Sequence, residues 1–222
     1  MKWMSVEEMS ARVPLPHGYR YEILSRVDIA EVVTFIDTWF PGIRVGSASG
    51  YTRARFFETE VTLDGERETD IGAVLIRRGP ELAAIVCSER DQEALTLYGS
   101  LIIVAPSHRG TQLGATGAAL MEAQARHMGA GLLYGMATLK FPHMQRALEA
   151  AGWKLIGITP GYDRELIAPG VVKRVYEAMY AKVLVADASL LRPEPHNLTA
   201  GTRAFFDSLF PAEDAGDSRR TA

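Results

Sequence analysis

Apolar residues recur along this chain with two different periods, and the change from one to the other marks its elements. Between Asp28 and Gly42, the positions Ile29, Val32, Val33, Ile36, Trp39 and Phe40 fall on one helical face. Asp28 with Glu31 forms a capping-box signature at its start, and Pro41-Gly42 closes it. Upstream, "YRYEILSR" (Tyr19 to Arg26) predicts a first strand, and residues 1–18, with prolines and scattered charges, read as an arm. Downstream, "VGSASGYTRAR" reads as loop. The runs "ARFFETEVTL", "IGAVLIRR" and "ELAAIVCSE" read as strands joined by the turns "DGERETD" and "GP". "ALTLYGSLIIVAP" extends the series as a long strand. Strands joined by short turns imply antiparallel pairing.

In the second half, Leu113, Gly117, Leu120, Met121, Gln124 and Met128 share a helix face that ends at Gly129 and Gly131. "LLYGMAT" then predicts a strand that can run parallel to the one before the helix. Pro142 suits the first turn of another helix, with Met144, Ala147, Leu148 and Ala151 as its inner stripe and Gly152 as its stop. "WKLIGITPG" and "RVYEAMYAKVLV" read as two final strands. After the linker "RPEPHN", Phe205, Phe206, Leu209 and Phe210 form a short amphipathic helix, expected to pack on the main domain or across a homodimer. Residues 212–222 lack apolar content and are expected to be mobile. The fold class expected is therefore α/β of the α+β type, a mixed, mostly antiparallel sheet flanked by helices. Its divisions are an arm (1–18), a main domain (19–185) and a C-terminal linker, helix and tail (186–222).

Composition narrows the chemistry. A chain of 222 residues can bury a core without metals or cross-links, and the single cysteine, Cys87, has no intrachain partner. The net charge of -3 argues against a nucleic-acid partner. No apolar run is long enough to span a membrane, and "MKWMSVEEMSARVP" has no signal-peptide core, so a cytoplasmic protein is expected. His17, His108, His127, His143 and His196 are scattered without metal-ligand spacing, so no metal site is expected. "GSASG" lacks the serine of a nucleophile elbow, because Ala48 stands at its centre.

The distinctive stretch is "VAPSHRGTQLGA", Val104 to Ala115, in which a strand stops at a proline and a glycine-containing turn opens a helix. Helix N-termini present free N–H groups to anions, glycines allow close approach, and Arg109 adds a charge suited to phosphate. Spacing alone fits equally a plain strand-to-helix turn with a solvated arginine. The turn lacks the Lys-Ser/Thr ending of a nucleotide-binding P-loop.

Together with the helix and strand downstream, "PHMQRALEAAGWKLIG" included, this stretch resembles the GNAT superfamily of N-acetyltransferases. Val104, Pro106, Arg109, Gly110, Leu113, Gly114, Gly152 and Trp153 stand where that superfamily's pattern places such residues, and the resemblance covers roughly Tyr21 to Val185. It implies acetyl-CoA as acyl donor and a small-molecule amine as acceptor. Ile102 and Val104 would offer backbone bonds to the pantetheine arm. Arg109, Gly110, Thr111, Gln112, Leu113, Gly114 and Ala115 would hold the pyrophosphate. Two positions depart from the pattern: Gln112 replaces a glycine, and Leu148 stands where many members carry a tyrosine acid. Counting back by twos from Val104 gives Ile102, Ser100 and Tyr98 as one face of the strand. Tyr98 and Ser100 are thus candidates to orient a water or polarise the acceptor, with Glu93 as a carboxylate alternative. Thiolate protonation is open among Tyr134, Tyr162 and His143. A non-catalytic acyl-CoA sensor, or use of a longer acyl donor, fits the same residues. The acceptor pocket is expected from "FPGIRVGSASGYTRAR" and the stretch after Gly157. Arg44, Arg53 and Arg55 there suit a substrate carboxylate or serve as solvated loop charges.

Overall fold

Alternating apolar residues in the longer runs produce a mixed sheet in the computed structural model, which describes residues 1–211. The strands are β1 (Tyr19–Ile23), β2 (Val61–Thr62), β3 (Ile71–Arg78), β4 (Glu81–Asp91), β5 (Thr96–Val104), β6 (Leu132–Thr138), β7 (Lys154–Ala168) and β8 (Val171–Val183). Their order across the sheet is β1-β3-β4-β5-β6-β8-β7, with β2 beside β3. All neighbours on that path are antiparallel except β5 and β6, and the short β2–β3 contact is also parallel.

The helices are α1 (Val6–Arg12), α2 (Ile29–Trp39), α3 (Ala54–Glu60), α4 (Leu113–Met128), α5 (His143–Ala150) and α6 (Ala200–Leu209). Two apolar cores lie on the two faces of the sheet. One joins Met4, Met9, Leu113, Leu120, Met121, Leu148 and Trp153 to one face. The other joins Val32, Ile36, Tyr51 and Phe57 to the opposite face. Gly117 sets the depth of α4, since a Cβ there would stand 3.1 Å from Val86. The packing glycine of this helix is therefore Gly117, one turn inside it.

Several local readings change. The first residues are not merely an arm: Ser5 and Glu8 exchange the two bonds of a capping box around α1, which carries the fully buried Met9 into the first core. The "ARFFETE" segment is α3 rather than strand, because Phe57 is buried in an edge-to-face cluster with Tyr51 and Phe56. In α2 the buried stripe is Ile29, Val32, Phe35 and Ile36, while Trp39 is exposed. Asp28 bonds Ser25, capping the turn before α2, and its other carboxylate oxygen binds the buried Arg77. The strand predicted from residue 94 begins at Thr96, leaving Glu93 exposed in the β4–β5 turn.

The described chain divides into a unit of Met1–Leu184 and a second that starts at Val185. Within the second, Thr199 caps α6 through the Thr202 N–H, and Phe206 packs on Phe210. The tail expected to be mobile lies outside the described residues.

Candidate active site

The parallel pairing of β5 with β6 ends early. Thr96 to Gly99 face Leu132 to Gly135, and beyond that level the two strands have no paired residues. The rest of β5 pairs only with β4, as far as Val104 opposite Ala84. Ala105 donates to the Ala83 carbonyl at 2.9 Å, so its N–H points toward β4. Peptide groups alternate direction along an antiparallel strand, and those of Ile102 and Val104 therefore point the other way, into the fork. Arg109 already reaches the Val104 carbonyl there, at 3.4 Å.

At the mouth of the fork stands the turn that opens α4. Gly110 has φ +82 and Gln112 φ +66, both in the left-handed region. Gln112 therefore keeps the backbone that a glycine would adopt, and the side chain does not change the course of the turn. Among the described residues, no group accepts from the backbone N–H groups of Gly110 through Ala115. These include the first donors of α4, which no helix can satisfy internally. A Cβ at Gly110 would meet nothing within 4 Å, and one at Gly114 would first meet Ala147 at 4.0 Å. The space over this row of donors is open. Below it, Thr111 bonds the His108 carbonyl at 2.5 Å, and buried His108 bonds Tyr19 at 2.9 Å, which ties the turn to β1. The predicted cofactor residues Ile102, Val104 and Arg109 through Ala115 thus line one continuous stretch of the fork and its mouth.

The catalytic candidates divide. In the β4–β5 ladder Cys87 faces Leu101 but Ser88 faces Gly99, so Ser100 is an extra, bulged residue. The bulge breaks the alternation that counting by twos assumes. Ile102 and Val104 pack on the α4 side of the sheet, whereas Ser100 bonds Tyr51 on the opposite side, at 2.7 Å. Tyr98 shares that opposite side with Tyr134, 5.1 Å away between ring centres. Tyr51 also donates to Glu89 at 3.2 Å. Burial, then Tyr162, Glu177 and Glu89, push the Tyr98 hydroxyl well above its usual range, so it stays protonated. His143 is exposed at the start of α5. Leu148 is buried in the first core. Cys87 is fully buried, and burial raises its thiol far beyond nucleophilic use.

Sequence reasoning missed Tyr51, Glu89 and Glu177. Glu177 lies on β8 directly opposite Thr138, in phase with Val175 and Met179 on the inner face of the strand. A carboxylate between the apolar Val175 and Met179 of the same phase was the available signal. The two segments expected to frame the acceptor do meet: Ser47 donates from its N–H and its hydroxyl to Asp163, each at 2.8 Å. The second of them is not a loop but the extended middle of β7. Arg44 is paired with Asp37, while Arg53 and Arg55 are exposed. Beside Tyr98 and Tyr134 opens a cleft of about 620 Å³, also lined by Asp70, Glu89, Arg90, Asp91 and Glu93. Arg90 is engaged by Glu68 and Asp70.

No protein-family model matches the sequence, and no curated protein matches it. Solved structures do. An IAA acetyltransferase from Bacillus cereus superposes with a TM-score of 0.54 at 13% identity, over 75% of this chain and 99% of its own. A dodecameric spermidine N-acetyltransferase from Vibrio cholerae gives 0.58 at 12% identity, over 76% and 95%. A Bacillus subtilis acetyltransferase in complex with CoA gives 0.54 at 15%, over 75% and 99%. The chain has the GNAT fold.

Proposed function

We propose that this protein is an acyl-CoA-dependent N-acyltransferase, with acetyl-CoA as donor and a small-molecule amine as acceptor. The observation that carries the reading is the open fork between β5 and β6, with the unpartnered N–H row of Gly110 to Ala115 at its mouth. An extended amide-bearing arm fits the inward peptide groups of Ile102 and Val104, and a pyrophosphate fits the helix-end donors with Arg109. The likeness to a CoA-bound acetyltransferase supports the same donor. Bound there, the donor supplies a thioester.

The residues of the chain do the rest. With the donor held in the fork, its acyl group would lie beside Gly99 and Ser100, where the bulge turns β5 toward the Ser100–Tyr51–Glu89 chain. Tyr98, protonated at neutral pH, serves as hydrogen-bond donor to the departing sulfur or the carbonyl oxygen. Tyr134 packs beside Tyr98, and Tyr162 adjoins it. His143 is not needed in this arrangement. The homodimer and the cytoplasmic setting expected from sequence stay with this proposal. Among the described residues, no helix is long and apolar enough to cross a membrane.

The test is release of free thiol from acetyl-CoA in the presence of an amine panel. Amine-dependent thiol release, reduced in Tyr98→Phe, is expected. Binding of CoA without release on any amine would replace this reading with that of an acyl-CoA sensor.

A further inference from the structure

Glu177 stands out among the carboxylates. It is nine-tenths buried, and among the described residues it has neither a hydrogen-bond donor nor a cation as partner. Buried carboxylates in folded proteins are ordinarily paired. Its oxygens are nevertheless not sealed in. Among the described residues, the sealed side-chain atoms that make no hydrogen bond are Ser88 Oγ, Trp153 Nε1 and His108 Nε2, the last 3.1 Å from a Glu81 carboxylate oxygen, and the Glu177 oxygens are not among them. The charges around it are of its own sign: Asp163 and Glu165 from β7 act on it, and Lys140 is taken up by Glu165. Tyr98 from β5 is within its electrostatic reach, and Tyr162 of β7 adjoins Tyr98. Across the strands its neighbours Thr138 and Thr159 are uncharged. Burial first, then Asp163 and Glu165, raise its carboxyl to about 7.

A buried anion with open oxygens, an aromatic surround and no cation of its own is one half of an ion pair. On the far side of Tyr98 and Tyr134 lies the cleft lined by Asp70, Glu89, Asp91 and Glu93, whose one cation, Arg90, is engaged by Glu68 and Asp70, so the surroundings there are negative as well. We infer that Glu177 receives the ammonium of the acceptor, that it takes up the proton when the amide forms, and that the acceptor is an alkylamine carrying positive charge and no carboxylate. This rests on the acyl-transfer reading and adds the substrate class to it. In the step, the ammonium first gives one proton to the Glu177 carboxylate, which frees the nitrogen's lone pair to bond to the acyl carbon. The carbon–sulfur bond breaks with its electron pair going to sulfur, and the nitrogen's second proton passes to the departing thiolate, so the products are the amide and a free thiol. A carboxylate-bearing amine would place a second anion in a cleft already rich in them. Arg90, the cation that lines the cleft, is held by Glu68 and Asp70, and Arg44 is held by Asp37.

The experiment uses the full chain and the matched probes 1,4-diaminobutane and 4-aminobutanoate, which differ only at one end. Each is titrated calorimetrically at pH 7, with and without CoA, in two buffers of different ionisation enthalpy. Diaminobutane should bind and release about half a proton, since a carboxyl held near 7 is half protonated before the cation arrives. Glu177→Gln should weaken that binding about 10- to 100-fold and abolish the proton release, while leaving CoA affinity unchanged. In turnover, the same variant should lose the limb of the kcat/KM profile near pH 7. Equal affinity for the two probes, or undiminished binding and proton release in Glu177→Gln, overturns the proposal. Failure of CoA itself to bind overturns the acyl-transfer reading instead, because diamine binding without CoA reports on Glu177 separately.

Discussion

Replacing Glu177 by glutamine should stabilise the protein at neutral and alkaline pH while damaging its activity. The side chain is isosteric, so the change removes a charge and little else. A carboxyl held at about 7 in the folded chain, against an ordinary value of 4.5, resists ionisation that the unfolded chain accepts freely. Below pH 4.5 the group is protonated in both states and adds nothing to the pH dependence. As pH rises from there, the unfolded state loses its proton first, and folded-state stability falls until the folded group has titrated too. At about 1.36 kcal/mol per pH unit, that interval corresponds to about 3 kcal/mol. The solvent that still touches the carboxylate, which is 9% exposed, lowers this to about 1–3 kcal/mol. Urea unfolding of wild type and variant at half-unit steps from pH 5 to 8.5 measures it. The variant's advantage should grow through the interval from pH 5 to 7 and level off above it. A constant difference across the range, or a variant that is less stable at pH 8, would refute a buried, unpaired carboxylate at this position.

Two further substitutions probe the frame of the site. Gly46 has φ +92, and a Cβ there would overlap the Asp163 carboxylate and the Arg164 carbonyl, so Gly46→Ala should cost about 2–4 kcal/mol and raise the amine KM without changing CoA affinity. An unchanged melting temperature would show that the Ser47–Asp163 contact does not hold these segments together. Gln112→Gly removes a side chain from a left-handed residue and should change stability by about 0 to 1 kcal/mol in favour of glycine. A loss above about 1 kcal/mol would instead give the glutamine side chain a role in holding the turn.

Much of the frame was legible because period and burial agree in it. The α4 face read from Leu113, Gly117, Leu120, Met121, Gln124 and Met128 is buried at every one of those positions. The runs "IGAVLIRR" and "ELAAIVCSE" form β3 and the body of β4 because one face of each strand meets each apolar core. The misreadings have local physical causes. Phe56 and Phe57 suit a strand by propensity, but their packing against Tyr51 accompanies a helical segment instead. The bulge at Ser100 leaves no mark in a single sequence, so Tyr98 was assigned the same face as Ile102 and Val104. Tyr51 and Glu177 lie 126 positions apart in the chain and share one side of the sheet only through its topology. No local pattern brings such residues together.

Whether the stretch Val104 to Ala115 and the fork behind it hold the phosphates and arm of an acyl-CoA is tested most directly by calorimetric titration of acetyl-CoA into the wild type and Gly114→Arg. At Gly114 a Cβ is tolerated, with its nearest neighbour 4.0 Å away, but a long side chain would fill the space over the donors. Saturable binding to the wild type, lost in a variant that melts as the wild type does, is the predicted result. Equal binding by both proteins, or none by the wild type, would contradict the account.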